Sequence, residues 1–318
     1  MAITRPNILL DAPARQKYTQ GMNLLKGEFT GPTTASLGIS GPSQPVSTYD
    51  LFVIWHHVAM STMTPPTQGD RNAAHRGPVF CPWHRFMLRQ LELNLQRILS
   101  DNTFGLPYWD WAADGQKSAV LQKKSKVWAA DAMGGSGDPV KTGPFKFNNA
   151  DPASFRIRIE ANVNGQLVQT NHGLRRAIGT QVSKLPNRAD TAGALTLVPY
   201  DTSPWDTSSA GFRNRLEGWA PPGAPALHNR VHVWIGGDML PSSSPNDPVF
   251  YLNHCNVDRV WEAWLTQNGR TYLPPQTAPA SLKGHRVNDL MSSLISAPSK
   301  PSDVLDIRSE YTYDSLSV

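Results

Sequence analysis

The chain has 318 residues, 39% hydrophobic and 17% charged, with a formal charge of +5; that is enough apolar material for one sizeable core and too little charge for a disordered chain. No uninterrupted apolar run reaches the roughly 18 residues of a membrane-spanning helix, and the basic residues are scattered, so neither a membrane span nor a nucleic-acid surface is expected. The densest basic group, Lys123-Lys124-Ser125-Lys126, fits a solvated loop or helix end. The opening stretch from Met1 to Arg15 has one Arg before a very short apolar run and no small-residue cleavage pattern, so it does not read as a signal peptide. Two cysteines, Cys81 and Cys255, cannot build a disulfide framework. A reduced cytoplasmic protein is expected, exported only in company with a partner, with residues 1–318 forming one domain.

Along the chain, the segments from Tyr49 to Met60 and from Trp83 to Leu99 repeat apolar residues at helical spacing, the second through Phe86, Leu88, Leu91, Leu95, Ile98 and Leu99. The stretch from Asp114 to Asp151, rich in Gly, Pro, Ser and Asp, reads as a surface excursion. Alternation from Phe155 to Glu160, followed by Asn164-Gly165, signals a hairpin. A second excursion runs from Gly179 to Ser209. A third helix is expected from about Arg230 towards Trp234 after Pro221-Pro222-Gly223, and a fourth from Pro248 to Trp264 with Asp247 as its N-cap. The fold class is therefore mainly α: a four-helix bundle with long loops and a few short β-strands.

Six of the nine histidines fall into two groups of three: His56, His75 and His84, then His228, His232 and His254. His228 and His232 are four apart, so a helix places them on one face, one turn from each other. His254 lies on the next expected helix, which suits antiparallel helices sharing a site. Any one of these histidines alone is more often a core or surface residue; their joint spacing is the signal. Neutral imidazoles suit Cu, Zn, Fe or Ni. Two adjacent all-histidine sites favour copper, because a copper pair can reduce dioxygen whereas zinc is redox-inert and structural zinc prefers cysteine. His75 sits in a polar loop and must be carried inward by loop packing.

Three segments carry a resemblance: Val79-Phe80-Cys81-Pro82-Trp83-His84-Arg85-Phe86, the run from Leu227 to Met239, and the run from Ser244 to His254. They resemble the two copper motifs of tyrosinases, in the bacterial Streptomyces-like branch. Further similarity lies in Phe212–Trp219, Leu174–Ala177, Val140–Phe145 and Leu305-Asp306-Ile307. The resemblance implies two copper ions, one held by His56, His75 and His84 and the other by His228, His232 and His254, each through Nε2. His56 rather than His57 is implied because the family's first ligand follows a motif like Phe52-Val53-Ile54-Trp55. His57, His172 and His285 fall outside the pattern and read as structural or surface residues.

The same resemblance assigns roles near the metals. Glu217 and Asn229 match a pair proposed to hold a water that takes the phenol proton, and burial beside an apolar pocket can raise the Glu217 pKa towards a general base; the alternative is a buried hydrogen-bonding carboxylate that supports the helix start. Phe250 resembles an aromatic lying over the second copper's side of the pocket, where it would stack on a substrate ring, although an aromatic at that spacing is also compatible with plain core. Asp258 is a candidate to orient His254, or else an ion-pair partner of Arg85 or Arg259. Asn253, Tyr251 and Ala73 depart from common tyrosinase residues, and Ala73 leaves no cysteine for a Cys–His thioether; Cys81 and Cys255 read as small buried residues. Val233 is a small apolar residue where some tyrosinases have an Arg, so a neutral pocket lined by Phe250, Val233 and Asn253 is expected.

The implied activity is oxidation of a small phenolic substrate by O2. A neutral pocket favours o-aminophenols and o-diphenols, going to quinone imines and o-quinones, with monophenol ortho-hydroxylation as a weaker step. The alternative is a tyrosinase proper, hydroxylating tyrosine and oxidising the diphenol. An oxygen carrier of the hemocyanin kind needs the same ligands, but only about fifty residues follow the fourth helix, too few for a lid domain. The resemblance also implies a small copper-chaperone (caddie) partner, and an early Arg, Arg5, packed on Tyr311 or Tyr313.

Overall fold

A computed structural model of the chain describes residues 2–29, 31–221 and 223–318; Pro222 of the expected helix entry and Met1 of the opening stretch lie outside them. The architecture is mainly helical with two small two-stranded sheets. Nine α-helices are present among the described residues: α1 (Ala12–Gly27), α2 (Thr48–Ser61), α3 (Phe80–Leu99), α4 (Trp111–Gly115), α5 (Ala119–Lys123), α6 (Arg188–Leu195), α7 (Phe212–Glu217), α8 (Leu227–Ile235) and α9 (Val249–Asn268). No helix among them is long and apolar enough to cross a membrane.

The four expected helices are α2, α3, α8 and α9, and they bring the two histidine groups into one core. Helix α3 starts three residues earlier than its apolar spacing shows, because Pro82 is tolerated in a first turn whose N–H groups have no intrahelical partner. Helix α9 begins at Val249 with Pro248 in the cap position, not Asp247. Asp247 is instead held by a buried, two-pronged ion pair with Arg176, at 2.6 and 2.7 Å, while its Oδ1 still accepts from Val249 N at 3.0 Å.

Helix α1 had no clear periodic signal, since Arg15, Thr19, Gly21 and Lys26 share its buried face with Tyr18, Met22 and Leu25. Polar groups on that face find specific partners. Tyr18 donates to Pro248 O at 2.6 Å and Lys26 pairs with Asp50 of α2. Gly21 lets α1 close on α3, for a Cβ there would sit 2.6 Å from Leu95 Cδ2. The second expected excursion contains α6, whose capping box of Asn187 and Asp190 marks its start. In the first, Lys123, Lys124 and Lys126 are exposed at the end of α5 and just beyond it.

The hairpin forms as β2 (Ile157–Ala161) and β3 (Leu167–His172), antiparallel, with Gly165 at φ +71 in the turn. A second sheet joins the ends of the chain: β1 (Ile3–Arg5) runs parallel to β4 (Tyr311–Tyr313). Arg5 lies 3.4 Å above the Tyr311 ring centroid and donates to Tyr313 Oη at 3.2 Å, as the sequence implied. The tail also crosses the bundle, where Ser292 O accepts from the indoles of both Trp55 and Trp83.

Candidate dinuclear metal centre

Four helices and one loop deliver six imidazoles. Helix α2 carries His56, α3 His84, α8 His228 and His232, and α9 His254. The loop ligand candidate, His75, is set by Asn72, whose Oδ1 accepts from the backbone N–H of Ala74 and of His75 at 3.1 and 2.7 Å. Ala73 N donates to Ala59 O and Thr62 O, which ties the loop to the end of α2. Beneath it lies buried His285, a structural residue: a Cβ on Gly77 would come within 2.7 Å of His285 Cε1.

The donor atoms of His56, His75 and His84 lie within 4.8 Å of one another, as do those of His228, His232 and His254. His84 and His254, one from each group, stack at 4.1 Å between centroids with an 18° angle. Phe80 and Phe250 each touch rings of both groups, and so pack the two triads into a single cluster.

Backbone carbonyls fix the ring orientations. The Nδ1–H of His56 donates to Ser242 O, that of His84 to Phe80 O and that of His232 to Met239 O, all at 2.7 to 2.8 Å. His228 Nδ1 faces both Glu217 O and Asn229 Oδ1, at 3.1 and 3.0 Å. Each such bond places the proton on Nδ1 and leaves an Nε2 lone pair directed at the centre. The loop after α8 thus orients one ring of each triad. It reaches that position through Gly237, at φ +56, where a Cβ would lie 2.2 Å from Arg175 O.

Lone pairs gathered in this way suit a cation. Nε2 atoms approach to 3.2 Å between His56 and His75 and to 3.1 Å between His228 and His254, and His84 Nε2 is buried without a hydrogen-bond partner among the described residues. Burial, reinforced by neighbouring imidazoles, holds His56, His84, His228 and His254 well below the ordinary imidazole pKa, and burial holds His232 at about 4. Neutral rings at pH 7 are the form a metal needs. Three nitrogen donors per ion, with no thiolate or carboxylate, fit copper.

A cleft of about 290 Å³ opens onto His56, His75, His228 and His232. Met60, Arg76, Trp219, Pro225, Asn229, Val233, Leu240, Pro241 and Ser244 form its walls.

The sequence matches a family model described as "Common central domain of tyrosinase" over residues 46–267. The chain belongs to the tyrosinase family. Its tyrosinase relatives include that of Streptomyces glaucescens, 40% identical over 271 residues, covering 84% of this chain and 88% of the relative. Grixazone synthase of Streptomyces griseus is 36% identical over 288 residues, covering 84% and 90%. Among solved structures, a polyphenol oxidase from Thermothelomyces thermophila shares the fold with a TM-score of 0.71 at 21% identity, over 98% of this chain and 88% of that one. The chain is thus an enzyme of a family of copper phenol oxidases.

Two of the expected pocket residues do not face the cleft. Phe250 and Asn253 are fully buried and do not line the cleft. Phe250 packs edge-on to His56, 4.9 Å between centroids, so it supports the imidazoles from within the core. Of the expected pocket residues, Val233 lines the cleft, and so does Asn229. Glu217 has no solvent exposure. Burial does push its pKa up, as expected, but the hydrogen bond from His75 and the Arg213 charge outweigh it, and the net shift is downward. Its Oε1 accepts from Arg76 N at 2.7 Å and its Oε2 from Arg213 Nη1 at 3.0 Å. Both oxygens are committed, which leaves an ionised anchor rather than a raised base.

Asp258 does not orient His254, whose Nδ1 has no partner among the described residues. It accepts from Arg85 and Arg5 and from both C-terminal tyrosines; Arg259 pairs with Asp110 instead. His57 Nδ1 meets Ser242 Oγ at 2.8 Å, and the half-exposed His172 meets Glu160. Cys81 and Cys255 are free and buried, and burial pushes the Cys255 thiol up to about 12. The expectation of a neutral pocket missed Arg76, whose only sequence signal was its place next to His75.

Proposed function

We propose that the protein is a dicopper oxidase that uses O2 to convert o-aminophenols and o-diphenols to quinone imines and o-quinones, with slower ortho-hydroxylation of monophenols. The observation that carries this reading is the open cleft onto imidazoles of both triads, through which an aromatic ring reaches the centre from solvent. A carrier has no use for a ring-sized entrance.

His56, His75 and His84 would hold one copper and His228, His232 and His254 the other; the pair would supply two-electron redox chemistry with dioxygen. The chain's own residues do the rest. Val233, Pro241 and Met60 give the ring an apolar seat that excludes water. Asn229, at the cleft wall and within 3.0 Å of His228 Nδ1, orients the phenolic hydroxyl or a water that takes its proton. Glu217 is a positioning residue: it fixes the ring of His75 and the backbone of Arg76.

Compact rings that already carry the ortho group need only oxidation, and Val233 offers tyrosine no anchor. In the copper-loaded protein, kcat/KM for 2-aminophenol or catechol is expected to exceed that for tyrosine by about tenfold or more. Tyrosine ranking first would favour the second reading, a tyrosinase proper, which the Streptomyces glaucescens relative supports by name.

A small copper-chaperone protein is the partner we infer. Leu240 and Trp219 leave apolar surface exposed at the cleft mouth, where such a protein could dock. Expression alone in copper-supplemented cells is expected to give partial metal occupancy; full occupancy and activity without a helper would remove the requirement.

A further inference from the structure

Among the described residues the cleft holds one formal cation, and the backbone that carries it is tightly held. Arg76 follows His75 directly, with φ at +62, a left-handed conformation that non-glycine residues seldom adopt. Glu217 Oε1 holds it there by accepting from Arg76 N at 2.7 Å. The guanidinium then lies 5.6 Å from the centroid of the Trp219 ring, which lines the same cleft.

The side chain is exposed, and the nearby Glu217 pairs with Arg213 and meets His75 Nδ1. Among the described residues Arg76 has no carboxylate partner, although Asp70 and Asp206 border the adjoining hollow. Apart from the imidazoles, the cleft walls are apolar or uncharged. One oriented, unpaired guanidinium at the edge of an otherwise neutral cleft is a built-in recognition point for a planar anion.

We propose that Arg76 determines substrate choice by pairing with a carboxylate on the aromatic ring, while the ring's ortho pair faces the imidazoles. The substrate class is an o-diphenol or o-aminophenol that carries an acid group. Tyrosine matches it poorly, because its ammonium would stand beside the same guanidinium. The assignment rests on the phenol-oxidase reading, and the test keeps the two apart.

Two rings of similar size separate the charge from the chemistry: 3,4-dihydroxybenzoate and 4-methylcatechol. In Arg76→Gln the ratio of kcat/KM for the acid over the neutral ring is expected to fall about tenfold, mainly through KM, and Arg76→Lys, which keeps the charge but not the planar fork, should restore part of it. Zinc-loaded protein binds without oxidising. Its Kd for 3,4-dihydroxybenzoate should weaken about tenfold in Arg76→Gln, with the Lys variant between the two. An unchanged ratio and Kd, or equal losses in the Gln and Lys variants, would overturn the assignment. If copper-loaded wild type oxidises neither ring, the phenol-oxidase reading fails, and the zinc titration still decides whether Arg76 binds the carboxylate.

Discussion

Replacing His84 by Ala is expected to remove one bound metal per chain and to lower phenol oxidation by at least about a thousandfold, since a site of three imidazoles cannot lose one and keep its geometry. His84 couples the two triads. Its ring stacks on His254 of the other triad and touches both His56 and His75, so its loss also loosens the second triad. Metal content by elemental analysis and oxidation of catechol check the two effects separately. His56→Ala should behave alike. His57→Ala should keep its metal, because His57 bonds to Ser242 Oγ and lies outside the triads. Equal metal loss from the variants at positions 56 and 57, with both folded, would sink the choice between these neighbours. Stripping the metal should likewise lower the unfolding temperature, as any ligand that binds only the folded state stabilises it.

The parts of this architecture that the sequence revealed are those whose signal is local. Helices α2, α3, α8 and α9 show apolar spacing or histidines at helical intervals, and β2 and β3 flank an Asn-Gly turn. Helix α1 is hidden because its buried face carries Lys26, Arg15 and Thr19, whose polar groups find partners there: Lys26 pairs with Asp50, Arg15 donates to Ile8 O and Asp131, and Thr19 donates to Gln16 O within the helix. The six imidazoles were legible, but the groups that orient them were not. Ser242 O, Phe80 O and Met239 O are backbone carbonyls, and a carbonyl has no residue identity to read. Phe250 stayed open for a related reason: its spacing one turn before His254 fits either pocket or core, and only the packing of α2 against it shows that this side is core rather than cleft. Glu217 shows how a burial argument fails when a buried cation lies one turn away, at Arg213.

Beneath the metal centre, the tie between the two ends of the chain is electrostatic, and it leads to the second large expected effect. Asp258 of α9 lies 3% exposed, and its carboxylate receives Arg85 Nε at 2.6 Å, Arg5 Nη1 at 3.1 Å and the hydroxyls of Tyr311 and Tyr313 at 2.6 and 2.5 Å. Every partner is a donor. Asn at this position keeps the volume but turns one acceptor into an amide donor and removes the charge facing two buried guanidiniums. Asp258→Asn is therefore expected to cost about 3–5 kcal/mol, the range for breaking a buried ion pair from one side. Burial opposes ionisation of Asp258, but the charges of Arg85 and Arg5 outweigh it, so the folded pKa lies below the ordinary carboxylate value. A depressed pKa contributes stability above the unfolded value near 4 and loses it as pH falls through the folded one. The gap between wild type and variant in urea unfolding should thus be full at pH 7 and shrink on acidification below about pH 4. Metal content should stay at the wild-type level, because Asp258 does not bond to His254. A variant that unfolds at the same urea concentration as wild type at pH 7 would show that the network sets geometry without contributing stability; one that folds normally but loses metal would restore Asp258 to the metal centre.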